Sequence, residues 1–415
     1  MRVLLVNAFH YLRGGVERTY LDESRWLAAA GHEVLHFATR NPANEFSPTA
    51  QHFAPAAEFG EGSPASRQLL QLPRALWSAP AAHAMAGLLR ETRPDVAHLH
   101  APSRYLTPSI LRPLEREGIP VVMTLHDFKP WCTNRILFAH GVPCERCRGG
   151  RHWHAAATGC VQGSRLKSLV GTVEAYAHEA VGAYRPVRRW IAPSRFVLEK
   201  ALEHGVAPER LRLLPHGVEV PRAPALLPAS APPGRFVLFS GRLSLEKGVR
   251  LLPALAMRLA PTPIVIAGDG PLRSWLDRQS VAQPNLRVLG HVDDATLAAL
   301  RASAAVVVVP SLFYEHFCYA VAEALMDRRP VVAARIGAIP ELIEHQVTGL
   351  LVPPGDVHAL AEAVQQALSD PFAEAWGEAG RARVESLGDP RRHLEDLLGI
   401  YRDAGATSGS RTPRR

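Results

Sequence analysis

The chain has 415 residues, 47% hydrophobic and 21% charged, with a mean hydropathy of -0.03 and five cysteines. That is the composition of a soluble, globular chain too long for one core and too poor in cysteine for a disulfide scaffold, so two domains and a tail are expected. The net charge of +8 is uneven: residues 1–219 hold 26 Lys+Arg against 19 Asp+Glu, whereas residues 220–405 hold 18 against 20. The excess is too small for a nucleic-acid binder but suits an anionic partner such as a phospholipid surface or a lipid diphosphate. No apolar run approaches the ~18 residues of a spanning helix, and Arg2 to Val6 is too short and too soon polar for a signal peptide. A cytoplasmic protein is expected.

Short apolar runs alternate with amphipathic segments along the whole chain. Val3 to Val6 reads as a strand, Val16 to Ala30 as a helix, then Val34 to Phe37 as a strand. A helix within 65–92 follows, then strands Val96 to Leu99, Val121 to Leu125 and Trp190 to Ala192, and a helix from Arg195 to His204. Strand, helix, strand at this spacing implies βαβ units and a parallel sheet. Residues 220–234 contain five prolines and read as a linker. The alternation restarts with Phe236 to Ser240 and continues through Ile264 to Ala267, Arg287 to Leu289, Ala305 to Val309, Val331 to Ala334 and Leu350 to Val352. The expected architecture is α/β, two Rossmann-like doubly wound domains facing across a cleft. Domain one spans 1–219 with a Cys-rich insertion at 132–163, and domain two spans 235–375. Residues 376–405 read as helices packing back towards the first domain, and 406–415 as a disordered basic tail. Ligands in such folds lie outside the carboxyl ends of the strands.

Three places carry chemistry on their own residues. Gly14 and Gly15 end the loop after the first strand, where backbone amides at a helix N-terminus can approach an anion. In the second domain, Phe236 to Ser240 runs into Gly241-Arg242-Leu243-Ser244-Leu245-Glu246-Lys247-Gly248; Arg242 as a planar fork and Lys247 as a point charge can converge on a diphosphate. Lys247 is one of only four lysines. After Ala305 to Val309 come Glu315 and Glu323, the second on an otherwise apolar helix. A carboxylate accepting from two vicinal hydroxyls is how a sugar is held, and the amides of Phe317, Cys318 and Tyr319 can reach an anion. The alternative for Glu323 is a glutamate satisfied within the core.

With these residues in place the chain resembles the retaining glycosyltransferases of family 4, of GT-B fold, over nearly its whole length. The resemblance rests on the Gly14-Gly15 loop, His98-Leu99-His100, Thr124-Leu125-His126-Asp127, Pro215-His216-Gly217-Val218 and the loop 241–248. It continues in Gly268-Asp269-Gly270-Pro271, the E-x7-E pair Glu315 and Glu323, Gly337 to Glu341, and Thr348-Gly349-Leu350. It implies that Arg242 and Lys247 bind the diphosphate, Glu323 the donor ribose, and Glu315 the donor sugar hydroxyls. Gly15 then lies near the donor phosphate and His126 at the reaction centre, with no metal required for catalysis. Two departures bear on the donor sugar: His216 stands for the usual Asn, and His316-Phe317-Cys318 for the common Gly-Phe-Gly. Asp127 has three readings, as orienter of the imidazole, acceptor contact or turn cap.

The remaining feature is Cys132-x11-Cys144-x2-Cys147-x12-Cys160, with the ligand count of a structural zinc site; spacing alone leaves zinc and unligated thiols both open. Some members of the resembled family carry such an insertion. The implied enzyme moves a hexose from a nucleotide-diphosphate sugar to a glycan or lipid-linked acceptor with retention, in cell-surface polysaccharide synthesis, with peripheral contact to an anionic membrane at its inner face. A nucleotide-sugar epimerase of the same fold and a non-catalytic nucleotide- or glycan-binding subunit are the alternatives.

Overall fold

The computed structural model describes residues 1–55, 76–219, 227 and 231–406. It divides into two compact units, one of Met1–Ile136, Glu145–His216 and Pro390–Arg415, the other of Leu137–Cys144 and Gly217–Asp389. Strands are numbered along the chain. β1 to β4 are Arg2–Val6, Glu33–Phe37, Val96–Leu99 and Val121–Thr124; β5 and β6 are Phe138–Ala139 and Val142–Pro143; β7 and β8 are Val187–Ala192 and Leu211–Leu213. β9 to β14 are Val237–Ser240, Ile264–Ala267, Leu286–Gly290, Val306–Val309, Val331–Ala334 and Leu350–Val352.

The first unit is a parallel sheet in the order β2-β1-β3-β4-β7-β8, the second a parallel sheet in the order β11-β10-β9-β12-β13-β14. Both are Rossmann-like, and each order reverses once, beside β1 in the first and beside β9 in the second. The strands are apolar runs rather than alternating ones because both faces are covered. In β9, Leu238 packs on one face with Val307, Val309, Val321 and Leu325, while Val237 and Phe239 pack on the other with Ile264, Ile266, Val306 and Leu252.

Every strand read from the sequence is found, and three were missed. β8 has only three residues, and β5 and β6 are a two-residue antiparallel hairpin inside the Cys-rich insertion, too short to show a period. The expectation for 376–405 needs correcting. The helix Ala373–Gly388 belongs to the second unit, and the chain rejoins the first only with the helix Pro390–Asp403. That last helix buries Leu397, Ile400 and Tyr401 against Val3, Leu5, Tyr20 and Leu27, and Arg212 pairs with Asp403 at 3.0 Å. The helix expected within 65–92 is seen from Ala79 to Thr92; its earlier part, most of the 220–234 linker and tail residues 407–415 lie outside the described residues. Among the described residues, no helix is long and apolar enough to cross a membrane.

Candidate active site

In the second unit, the residues singled out from sequence collect at the carboxyl ends of β9 and β12, the two strands flanking the order reversal. The loop after β9 turns through Gly248, φ +72°, where a Cβ would sit 1.9 Å from the Pro310 carbonyl oxygen. That close approach brings Lys247 onto the loop after β12. Its Nζ donates to Glu315 Oε1 at 2.8 Å and lies 4.8 Å from the Phe313 ring centroid. Ser311 Oγ donates to the same Oε1 at 2.6 Å. Glu315 Oε2 accepts no hydrogen bond among the described residues, so this buried carboxylate keeps one oxygen for a ligand hydroxyl. Burial alone would pull the Lys247 ammonium down, but Glu315 more than offsets this and holds it above the ordinary lysine range. Arg242 is exposed and makes no side-chain ion pair or hydrogen bond among the described residues. A cation without a protein partner beside a paired one is what an anionic ligand needs.

The helix Tyr319–Met326 opens directly behind this cluster, capped by Cys318 at φ 73°. The family's glycine is replaced here, yet the backbone keeps the left-handed conformation a glycine would favour, with the thiol buried beneath it and its pKa pushed up by that burial. Phe317 is buried and meets Tyr319 edge to face at 5.3 Å. Glu323 points elsewhere than to an unsatisfied position: its Oε2 accepts from Arg301 Nη1 at 2.9 Å, and Arg301 Nε also pairs with Asp327. Arg301 is 3% exposed. The core-satisfied reading of Glu323 thus has a protein partner in place. Sequence reasoning missed Arg301, and its only trace was the (i, i+4) spacing of Glu323 and Asp327 on one helix face.

In the first unit the helix Gly15–Ala29 follows β1, with Gly14 as its N-cap in an extended conformation and Gly15 as its first residue. The inward face of that helix carries Glu23, 1% exposed, at the centre of a cluster of histidines. Glu23 Oε1 accepts from His393 Nε2 at 3.1 Å, and His393 Nδ1 donates to the Pro215 carbonyl at 2.8 Å. Two acceptors on one ring call for an imidazolium, and the Glu23 bond raises the His393 pKa despite burial, while the histidines around Glu23 hold its carboxyl well below the usual range against its own burial. His98 Nδ1 lies 3.2 Å from Glu23 Oε2 and 2.9 Å from Tyr401 Oη, and its Nε2 meets Thr124 Oγ1 at 2.8 Å.

His126, at the end of β4, is reached through His100. His100 Nε2 faces Glu23 Oε2 at 3.5 Å and its Nδ1 lies 3.0 Å from His126 Nε2. A carboxylate favours N–H on the nitrogen facing it, so His100 Nδ1 accepts, His126 Nε2 donates, and His126 Nδ1 is left as the acceptor. Burial lowers the His126 pKa to about 3 and the His100 pKa well below its ordinary value, so both rings are neutral. His216, in place of the family's Asn, is stacked on His126 with centroids 5.0 Å apart. Asp127 Oδ1 accepts from the Lys129 amide at 2.9 Å, so of its three readings the structure carries the turn cap. Sequence analysis named His98 and His100 only as a strand end and missed Glu23 and His393, which lie 370 residues apart.

The four cysteines expected to share a zinc do not form a ligand set as placed. Among the described residues, the one group of three or more His, Cys, Asp or Glu with ligand atoms all within 4.8 Å is Glu23, His98 and His100. No disulfide joins the cysteines, Cys132 Sγ donates to Asn134 at 2.9 Å, and Cys144 falls on the hairpin grouped with the second unit.

Two Rossmann-like parallel-sheet domains in series, with cations and a carboxylate at the strand ends of the second and a neutral histidine at a strand end of the first, define a GT-B glycosyltransferase. The model for Glycosyltransferase Family 4 matches residues 13–222 and that for Glycosyl transferases group 1 matches residues 234–370. The chain belongs to glycosyltransferase family 4. It is 28% identical to a glycogen synthase of Mycobacterium tuberculosis over 100% of this chain and 97% of that protein. It is 27% identical to a phosphatidyl-myo-inositol mannosyltransferase of Mycobacterium leprae over 99% of each. Among solved structures it is similar to sucrose-phosphate synthase from Thermosynechococcus elongatus, with a TM-score of 0.71 and 22% identity, covering 98% of this chain and 100% of that one. Anabaena HepE in complex with UDP-glucose gives a TM-score of 0.66 and 18% identity, covering 96% and 99%.

Proposed function

We propose that the protein is a retaining hexosyltransferase that uses a nucleotide-diphosphate sugar and a glycan or lipid-linked acceptor, in cytoplasmic synthesis of a cell-surface polysaccharide. The observation that carries the reading is the Lys247–Glu315–Ser311 cluster with the unpaired guanidinium of Arg242 beside it, at the strand ends flanking the order reversal. Arg242 and Lys247 hold the diphosphate and stabilise the charge it gains on leaving. Glu315 Oε2 accepts from a hydroxyl of the transferred sugar, and Glu323 holds the ribose. The bond from the anomeric carbon to the diphosphate oxygen breaks as the bond to the acceptor oxygen forms on the same face. The acceptor proton passes to the departing phosphate oxygen. Neutral His126 accepts a hydrogen bond near the anomeric centre through Nδ1. The UDP-glucose complex of the similar HepE, and the similarity to a glycogen synthase and a mannosyltransferase, support a nucleotide-sugar donor.

Titration against UDP, GDP, ADP and TDP, then transfer with the sugars of the tightest nucleotide, tests this reading. Each of Arg242→Ala and Lys247→Ala should weaken the diphosphate by roughly 1.5–3 kcal/mol and leave the nucleoside nearly unaffected. A product whose anomeric configuration is inverted, or a double variant that binds the diphosphate as wild type does, overturns it.

A further inference from the structure

The helix Arg165–Ala180, which follows the Cys-rich insertion, is folded inside out. Its inward face is polar: Ser168, Gly171, Thr172, Glu174 and His178 are the buried residues. Its outward face carries Leu166 at 66% exposure, Leu169 at 51%, Val173 at 51% and Tyr176. At 100° per residue these four share an arc of about 80°, with Ala180 inside it and Ala177 and Val170 just beyond one edge. A stripe of this kind on a globular protein ordinarily faces the core.

The inward face explains why it does not. Ser168 Oγ accepts from the Val161 amide at 2.9 Å, Thr172 Oγ1 donates to the His152 carbonyl at 3.2 Å, and Glu174 pairs with Lys129 at 2.7 Å. His178 Nε2 donates to the Leu76 carbonyl at 2.7 Å, and a Cβ on Gly171 would lie 2.5 Å from Thr133 Cγ2. These bonds and this close approach fix the rotation of the helix, so the apolar arc is presented by construction. Trp153, 53% exposed, extends it, its backbone amide donating to Tyr176 Oη at 3.3 Å. Isolated exposed leucines are ordinary, but a contiguous apolar face with two aromatics is not.

Charge selects the occupant. Arg165 and Lys167 flank Leu166, and Arg146, Arg148 and Arg151 precede Trp153 in the chain. Of the acidic residues in this stretch, Glu145 is paired with Lys200 and Glu174 with Lys129, which leaves Glu179, beside His152, as the acid facing out. Leucines and amphipathic rings in one plane with a basic border are the composition of a helix lying in the headgroup region of an anionic bilayer. We propose that the Trp153 and Leu166–Tyr176 face docks this enzyme on an anionic lipid surface. The proposal rests on the lipid-linked acceptor reading and names the surface that would bring the first unit to such an acceptor.

The test uses the full chain with vesicles of phosphatidylcholine alone and of phosphatidylcholine with phosphatidylglycerol, at low and physiological salt, with UDP or the tightest nucleotide titrated in the same samples. Wild type should sediment with the anionic vesicles and lose affinity with salt. Leu169→Glu with Val173→Glu, both exposed and outside the donor residues, should cut the partition about tenfold or more while nucleotide affinity stays unchanged; Arg165→Glu with Lys167→Glu should cut it less and flatten the salt dependence. Failure of wild type to bind vesicles with nucleotide affinity intact overturns the docking face alone, as does a wild-type dimer that Leu169→Glu dissociates. Loss of nucleotide binding in wild type instead overturns the transferase reading.

Discussion

The two units share a parallel-sheet plan but fill their strand ends with opposite chemistry. The second unit places a charged pair there, Lys247 on Glu315, and a second charged cluster, Arg301 with Glu323 and Asp327, on the helices either side of β12. The first places titratable rings, four of which (His98, His100, His126 and His393) gather around one buried carboxylate, Glu23, either directly or through a neighbour. Fixed charges suit holding an anionic donor at any physiological pH. Neutral imidazoles offer acceptors without adding charge, and the cost is sensitivity to acid. The histidines His10, His32, His36, His100, His126, His152, His178 and His204, whose pKa values the structure holds low, lie in the first unit.

The largest effect is expected in the second unit. Arg301→Ala leaves Glu323 and Asp327 partly buried without their shared cation, and removing one partner of such a pair costs about 3–5 kcal/mol. Urea unfolding followed by hydrogen exchange in β12 measures it. A loss under about 1 kcal/mol would mean that the Arg301 pair contributes little to holding Glu323 and Asp327 in place.

Acid should act on the first unit. A histidine whose folded pKa is depressed binds fewer protons folded than unfolded, so stability falls as pH drops below the unfolded value of about 6.5. For His36, buried and lowered to about 3 by its burial and by His10, the loss between pH 7.5 and pH 5 is about 2 kcal/mol. His393, with its raised pKa, opposes the trend, and the Glu23 charge persists until pH falls well below about 4.5. Hydrogen exchange corrected for intrinsic rates should show β1 and β4 losing protection at pH 5 while β9 and β12 keep theirs. Equal loss in both sheets would break the contrast.

A smaller effect isolates the placing of one carboxylate. Gly337 sits at φ +58°, where an added Cβ would lie 2.5 Å from the Glu315 nitrogen and 2.6 Å from its oxygen. Gly337→Ala should cost about 1–2 kcal/mol from the left-handed backbone, with further loss from the clash, and should reduce sugar transfer more than nucleotide binding. If transfer is unchanged while the urea midpoint falls, Glu315 is not held in place by this contact.

How much was legible follows from the range of each signal. The strand runs of β9 and β12 are buried on both faces, so their local sequence is uniformly apolar and announces a parallel sheet. Gly248, Lys247 and Glu315 stand on loops whose positions the strands dictate, and a pattern of residue types recovers them. The partners could not be found that way. Arg301 reaches Glu323 from a neighbouring helix, and His393 reaches Glu23 from the last one, across 370 residues. For the helix Arg165–Ala180, which the sequence reading did not single out, period alone cannot say which side faces in.

The sequence by itself therefore determined the two Rossmann-like domains, the family, and the residues on loops at strand ends, since those depend on runs and spacings of a few residues. Only the tertiary structure decided that Glu323 is ion-paired, that His126 is neutral and coupled through His100 to Glu23, that the four cysteine sulfurs do not share a ligand set, and that an apolar helix face looks outward. Each of these depends on which distant groups the fold brings within about 3–4 Å of one another, where desolvation and hydrogen bonding act, and no local pattern encodes that distance.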